Sequence, residues 1–262
     1  MRHTARVFLA LIKMNVSYNS HYRANAIAHF IVSFCWVAFY FWTVNIIFMY
    51  TDNLIGWSRN EVLFLVGLFR IVKSIVDVLS RVNFTRFFET IRYGDFDFYL
   101  SKPINPLILS SFKIMVFPEI SNFCVGIFFI ATVVGLKEFT NVAFLINLFF
   151  GVMFGSIAYY TLLFTIIPIA FYLQRLTALN EIVNLISQTI RYPLNIYTRD
   201  VFIYELLTLP LAIVVYYPTM IILGKTSNYW LYIIEPIAVF LMFLIVYRWW
   251  SFSIKHYSSA SS

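Results

Sequence analysis

From Ala26 to Tyr50, and again from Val142 to Leu173, the chain carries no Asp, Glu, Lys or Arg. Runs of this length cannot be solvated as loops, whereas helices of about 20 apolar residues match the roughly 30 Å hydrocarbon layer of a bilayer. Stretches from about Glu61 to Val82, Ile114 to Leu136 and Tyr229 to Trp250 read the same way, with Lys137-Glu138 as the turn between the third and fourth spans. Only 12% of residues are charged and 61% are apolar, against about 25% charged in an average soluble domain. The expectation is an all-α integral membrane protein of six spans, in which 262 residues leave little for a soluble domain.

Before the first span, Arg2, Arg6, Lys13 and Arg23 are interleaved with Val7, Phe8, Leu11, Ile12 and Met14. That pattern predicts an amphipathic helix over residues 1–25 lying in the headgroup layer, and it has no small-residue cleavage site of a secretory leader. Cys35 and Cys124 both lie in apolar runs, which argues against a disulfide framework or a zinc cluster. His3, His21, His29 and His256 are scattered, and no HExxH, GxSxG, CxxC or paired-carboxylate pattern occurs. Gly224-Lys225-Thr226 has the tail of a phosphate-binding loop, but Thr219 stands where its first glycine belongs and no strand precedes it. Catalysis by this chain itself is therefore not expected.

Between the second and third spans lies a polar insert, Ile91 to Pro106, which turns at Gly94 and stops at Lys102-Pro103. Its Gly94-Asp95-Phe96-Asp97-Phe98-Tyr99-Leu100-Ser101-Lys102-Pro103 resembles the cytoplasmic loop of type-2 ABC export permeases, in particular the DUF990-like branch, with Phe96 where many relatives carry Leu. A second resemblance to that branch runs through Tyr192-Pro193-Leu194-Asn195-Ile196-Tyr197, Leu209-Pro210 and Tyr217-Pro218. The resemblance implies a single permease domain with a cytoplasmic coupling loop over 83–113, spans 1–2 over 26–82 and spans 3–4 over 114–173. Span 6 then covers 229–250, and 251–262 form a cytoplasmic tail. It also implies that Asp95, Phe96, Asp97, Phe98, Leu100, Lys102 and Pro103 seat a coupling helix in a separate ATPase. The implied partners are two ABC ATPase subunits carrying Mg-ATP, a second permease copy or paralogue, and membrane lipids, with no nucleic acid and no cofactor in this chain.

Residues 174–228 allow two readings. Hydropathy makes Phe202–Leu223 the fifth span and leaves Arg175–Asp200 in the cytoplasm. The resemblance implies a short fifth helix at about Thr177–Tyr192, followed by an external re-entrant hairpin, and we adopt that expectation. Pro193, Glu205, Pro210 and Glu235 are then candidates for an external gate, although Glu205 and Glu235 also suit an aqueous interface, and Glu181 belongs to the fifth span. With both termini inside, twelve of the nineteen Lys and Arg residues fall on the cytoplasmic side and five opposite, with Arg70 and Lys73 inside the membrane.

Arg70, Lys73 and Asp77 share one face of the second span. Charge at that depth is costly unless paired or wetted, and marks a functional site by default. Lys73 and Asp77, four apart, can pair with each other, and Glu119 on the third span is a further candidate partner. The cluster is either structural or a contact for anionic headgroups of cargo. Aromatics such as Trp36, Phe39, Phe41, Trp42, Tyr159, Tyr160 and Phe164 suit packing and interfacial belts, and Gly151 and Gly155 form a close-approach GxxxG pair.

Three function classes are consistent with these residues. The first is the permease subunit of an ATP-driven exporter of lipid-like or drug-like amphiphiles in a bacterial inner membrane. The second is an ion-coupled secondary transporter using Arg70, Lys73 and Asp77, and the third is a non-transporting membrane scaffold.

Overall fold

The computed structural model describes residues 2–21, 23–172, 177–196, 202–226 and 228–257; within them the side chains of 2–5, 18–21, 23–26, 136, 177–180 and 202–207 are outside the description. Among the described residues the regular structure is helical, joined by turns and loops, with an isolated bridge between Leu54 and Trp57. The helices are α1 (Arg2–His21), α2 (Arg23–Tyr50), α3 (Arg59–Val76), α4 (Val82–Arg92), α5 (Asp97–Leu100), α6 (Pro106–Phe112), α7 (Ile120–Val134), α8 (Val142–Ile166), α9 (Thr177–Ile190), α10 (Phe202–Ile222) and α11 (Leu231–Ser253).

Among the described residues four helical segments are long and apolar enough to cross a bilayer: Ile27–Tyr50, Phe117–Val134, Val142–Phe171 and Leu231–His256. The expected second span, α3, is not among them because it carries Arg59, Glu61, Arg70 and Lys73. It is instead the central helix, packed on α2, α7, α8 and α10. Its residues from Val62 to Val72, Arg70 among them, are buried without interruption, so protein and not lipid surrounds the Arg70 charge, the arrangement in which intramembrane charge is tolerated.

Glycine sets how closely the other helices approach α3. A Cβ on Gly126 of α7 would come within 2.6 Å of the Gly67 carbonyl oxygen and 2.5 Å of Ile71 Cγ1. On α8, a Cβ on Gly155 would lie 2.3 Å from the carbonyl oxygen of Val214 in α10. Pro218, four residues after Val214, has no N–H to offer that carbonyl, which turns toward the bare Gly155 backbone instead. A proline inside α10 and a glycine inside α8 thus serve one contact.

A π-turn, Asp77–Arg81, joins α3 to α4, so residues 59–92 form one helical path of about 50 Å at 1.5 Å per residue. That exceeds a hydrocarbon layer of roughly 30 Å, and its far end packs through Phe87 on Phe171 and Trp250, at the end of the bundle. The carbonyl of Val78, inside the π-turn, accepts from the Val116 N–H at 2.9 Å.

Residues 113–116, between α6 and the 3-10 turn Phe117–Glu119, are not helical. Open backbone within a membrane bundle requires partners from the protein, and two buried asparagines supply them. The Asn83 amide donates to the carbonyls of Leu79, Ser111 and Ile114 and accepts from the Ile114 N–H. Asn15 of α1 donates to the Lys113 carbonyl at 3.1 Å and accepts from the Met115 N–H at 3.1 Å. With Phe8 edge-on to Phe112 at 5.9 Å, these bonds hold α1 against the break and leave Leu9, Met14 and Val16 exposed.

Both stretches considered for the fifth span are helical. Phe202–Ile222 is one continuous helix with Pro210 and Pro218 inside it, so this stretch does not form the two short arms of the expected hairpin. Its flanks nevertheless return to one place. Asn195 Nδ2 donates to the Ile55 carbonyl at 2.8 Å, and Lys225 Nζ donates to the Gly56 carbonyl at 2.7 Å.

Candidate functional site

The loop after α4 is shaped by its glycine and held by one ring. Gly94 adopts φ +75°, a left-handed conformation that costs glycine little, and the chain reverses there. Backbone bonds from Phe98 to Asp95, Tyr99 and Leu100 to Phe96, and Ser101 to Asp97 close one short helical stretch. Asn105 then caps α6 by accepting from the Leu107 N–H at 3.0 Å, with Pro106 in the first turn.

Phe96 is 0% exposed. Its ring lies 5.4 Å from Phe87 of α4, 5.4 Å from Phe171 beyond α8, 6.4 Å from Trp250 of α11 and 5.1 Å from Tyr257 in the tail. The expectation that Phe96 contacts a partner is therefore corrected: the ring is consumed by the protein's own aromatic cluster and tethers the loop to α4, the segment beyond α8, α11 and the tail. Phe98, 68% exposed, and Leu100, 43% exposed, project the other way. Asp95, Lys102 and Pro103 are exposed, as is Tyr93, and Asp97 is half-buried. Lys113 Nζ sits over the Tyr99 ring, 5.0 Å from its centroid, and binds the loop to the non-helical break.

Inside the bundle, Lys73 and Asp77 form an ion pair, and Arg81 Nη1 meets the same carboxylate oxygen of Asp77 at 3.1 Å. Arg70 does not join them. It donates to Asn122 Oδ1 at 2.8 Å, and Asn122 donates in turn to Glu119 Oε2 at 2.7 Å. Arg70 also lies over the Tyr40 ring, 4.4 Å from its centroid, while Arg191 donates to the Tyr40 hydroxyl at 2.5 Å. Tyr40 is thus bracketed by two guanidinium groups. Arg191, counted from the sequence as aqueous, belongs to this network, and Arg81 belongs to the charge cluster. Helical spacing along α3 reveals Arg70, Lys73 and Asp77, but Tyr40 on α2, Asn122 on α7 and Arg191 in the turn after α9 carry no local signal beyond being polar within apolar surroundings.

At the opposite end, Ser58 and Glu61 form a reciprocal cap on α3, and Lys225 Nζ reaches Glu61 Oε2 at 2.6 Å over the Trp57 ring. Lys225 of the Gly-Lys-Thr sequence is therefore a strut. The candidate gate residues do not converge. Pro193 is buried and Pro210 half-buried, Glu235 faces a cavity between α8, α10 and α11 whose lining includes neither proline, and the Glu205 side chain lies outside the described residues.

A helical bundle with a buried charged helix and a loop that exposes Phe98 and Leu100 defines a multi-pass membrane protein without a catalytic constellation among its described residues. The family model described as ABC-2 family transporter protein matches residues 34–261, and the chain belongs to that family. Members are membrane-spanning subunits that work with an ABC ATPase. No curated protein and no solved structure matched the chain.

Proposed function

We propose that the chain is the permease subunit of an ATP-driven exporter that moves an amphiphilic substrate out of the cytoplasm or inner leaflet by alternating access. It pairs with a second permease copy or paralogue and with two ATPase subunits that bind Mg-ATP, in a bacterial inner membrane with both termini cytoplasmic. The observation that carries this reading is the loop at 94–103. Phe96 anchors it to the ends of α4, α8 and α11, while Phe98 and Leu100 offer an apolar contact flanked by acids. Force applied to those exposed side chains passes through the Phe96 ring to the bundle.

The test uses Phe98→Ala and Asp97→Lys in the reconstituted complex. Both variants should insert and dimerise normally but lose the ATPase on co-purification, or hydrolyse ATP without moving cargo, since exposed aromatic anchors carry much of an interface's energy. Wild-type co-purification and coupling in both variants would remove the coupling-loop reading. Transport that persists without ATP would point to an ion-coupled carrier instead.

A further inference from the structure

Two cavities meet on one side of the bundle. The larger, about 610 Å³, lies between α3, α6, α8 and α11, and the smaller, about 370 Å³, lies between α8, α10 and α11; Phe154 and Pro236 line both. Their volumes fall in the range of pockets for drug-sized molecules, roughly 300–1,000 Å³. Ile157, Phe240 and Phe243 line the larger cavity and are themselves exposed. The groove therefore opens sideways, onto the surface that faces lipid.

Its lining is apolar except at particular points. Glu235 borders the smaller cavity, is 5% exposed, and its Oε1 has no hydrogen-bond partner among the described residues. The hydroxyls of Ser80 and Ser156, both lining the larger cavity, are likewise buried without a partner. Pro236 cannot donate to the carbonyl of Tyr232, four residues back, and Tyr232 borders the same cavity as Glu235. A lipid tail alone would gain nothing from this arrangement, because a buried carboxylate is costly unless a cation or hydrogen-bond donor meets it.

We propose that this groove binds a cationic amphiphile, with its ammonium group against Glu235 and its apolar body in the larger cavity beside Ser156 and Phe240. Charge complementarity selects the head, and the lateral opening lets the ligand arrive from the bilayer. The proposal rests on the exporter reading for its meaning as a cargo site. Binding itself needs only the permease, so a failure of ATPase coupling and a failure of this site give different results.

The experiment uses purified permease in lipid nanodiscs and two photoreactive probes of equal chain length, a dodecyltrimethylammonium and a dodecanol, with crosslinks mapped by mass spectrometry. The ammonium probe should label α8 and α11 around Phe154 and Phe240 about tenfold more than the alcohol, the size of effect a buried charge pair can supply. Unlabelled dodecyltrimethylammonium should compete and dodecanol should not. Glu235→Gln should abolish the preference for the cation while leaving alcohol labelling unchanged, and Ile157→Trp at the open rim should reduce labelling by both. Equal labelling of the wild type by the two probes would show a lipid-filled groove and overturn the proposal. It would also be overturned by a cation preference that survives Glu235→Gln, or by absence of labelling because a second copy covers the groove.

Discussion

Asp77 receives Lys73 and Arg81 on one carboxylate oxygen, while its Oδ1 has no partner among the described residues. Asp77→Ala strands two cations and should lower stability by about 3–5 kcal/mol, as breaking a buried pair does, measured as thermal unfolding of the purified permease. Adding Lys73→Ala should restore part of that loss, and adding Arg81→Ala as well should restore more, since each removes one stranded charge. An Asp77→Ala protein as stable as wild type would sink this account. The spacing of Lys73 and Asp77 on one turn made their pairing legible in the sequence. Arg81, also four residues from Asp77, was legible by the same rule but was counted among the cytoplasmic cations. Arg191 and Tyr40 lie 151 positions apart, and no local pattern links them. Phe96 is a further residue whose type was readable and whose direction was not: alternate aromatics along Asp95–Leu100 suggest a sticky face, but only the fold decides that Phe96 points inward and Phe98 outward.

At the scale of helices, long apolar runs with few or no charges identified α2, α7, α8 and α11, because for a lipid-facing helix hydropathy and burial say the same thing. They diverge for α3, which is charged and central, and for α10, where prolines interrupt the pattern but one helix still forms. The close crossing of α3 and α7 was invisible because each helix contributes a single glycine there, Gly67 and Gly126, without the repeat that flagged Gly151 and Gly155. Gly126→Ala forces its methyl onto Ile71 and the Gly67 backbone, so the helices must separate. The expected cost is about 1–3 kcal/mol, read as a lower unfolding midpoint; an unchanged midpoint would mean that the crossing is looser than the contact distances imply. The non-helical break was equally hidden. Its position follows from Asn83 and Asn15, and an asparagine in an amphipathic stretch looks like ordinary surface until its carbonyl and N–H partners are in view. Asn83→Ala leaves buried backbone groups at 111–114 unsatisfied, and at about 1–3 kcal/mol for each such group it should destabilise more than Thr90→Ala, which removes one exposed bond within α4. Equal effects in a thermal scan would show that the break finds other partners.

Across the whole molecule, the two ends of the bundle differ in construction, and that difference argues for its orientation. One end carries the Phe96-tethered loop beyond a helical path longer than the hydrocarbon layer. The other is a compact knot in which Asn195, Lys225 and Glu61 converge on residues 54–61. Moving Arg191 from the knot's side into the bundle interior leaves that side with still fewer free cations, which strengthens the charge asymmetry that directs basic loops to the cytoplasm. Cysteines at Ser101 and Asn53, both exposed, introduced singly after Cys35→Ala and Cys124→Ala, report on the two ends. In intact cells an impermeant thiol reagent should label the Asn53 variant and spare the Ser101 variant, and opening the cells should expose Ser101. Labelling of Ser101 from outside would invert the molecule and put the loop where no ATPase could reach it, so this measurement bears on the exporter mechanism as directly as any assay of transport.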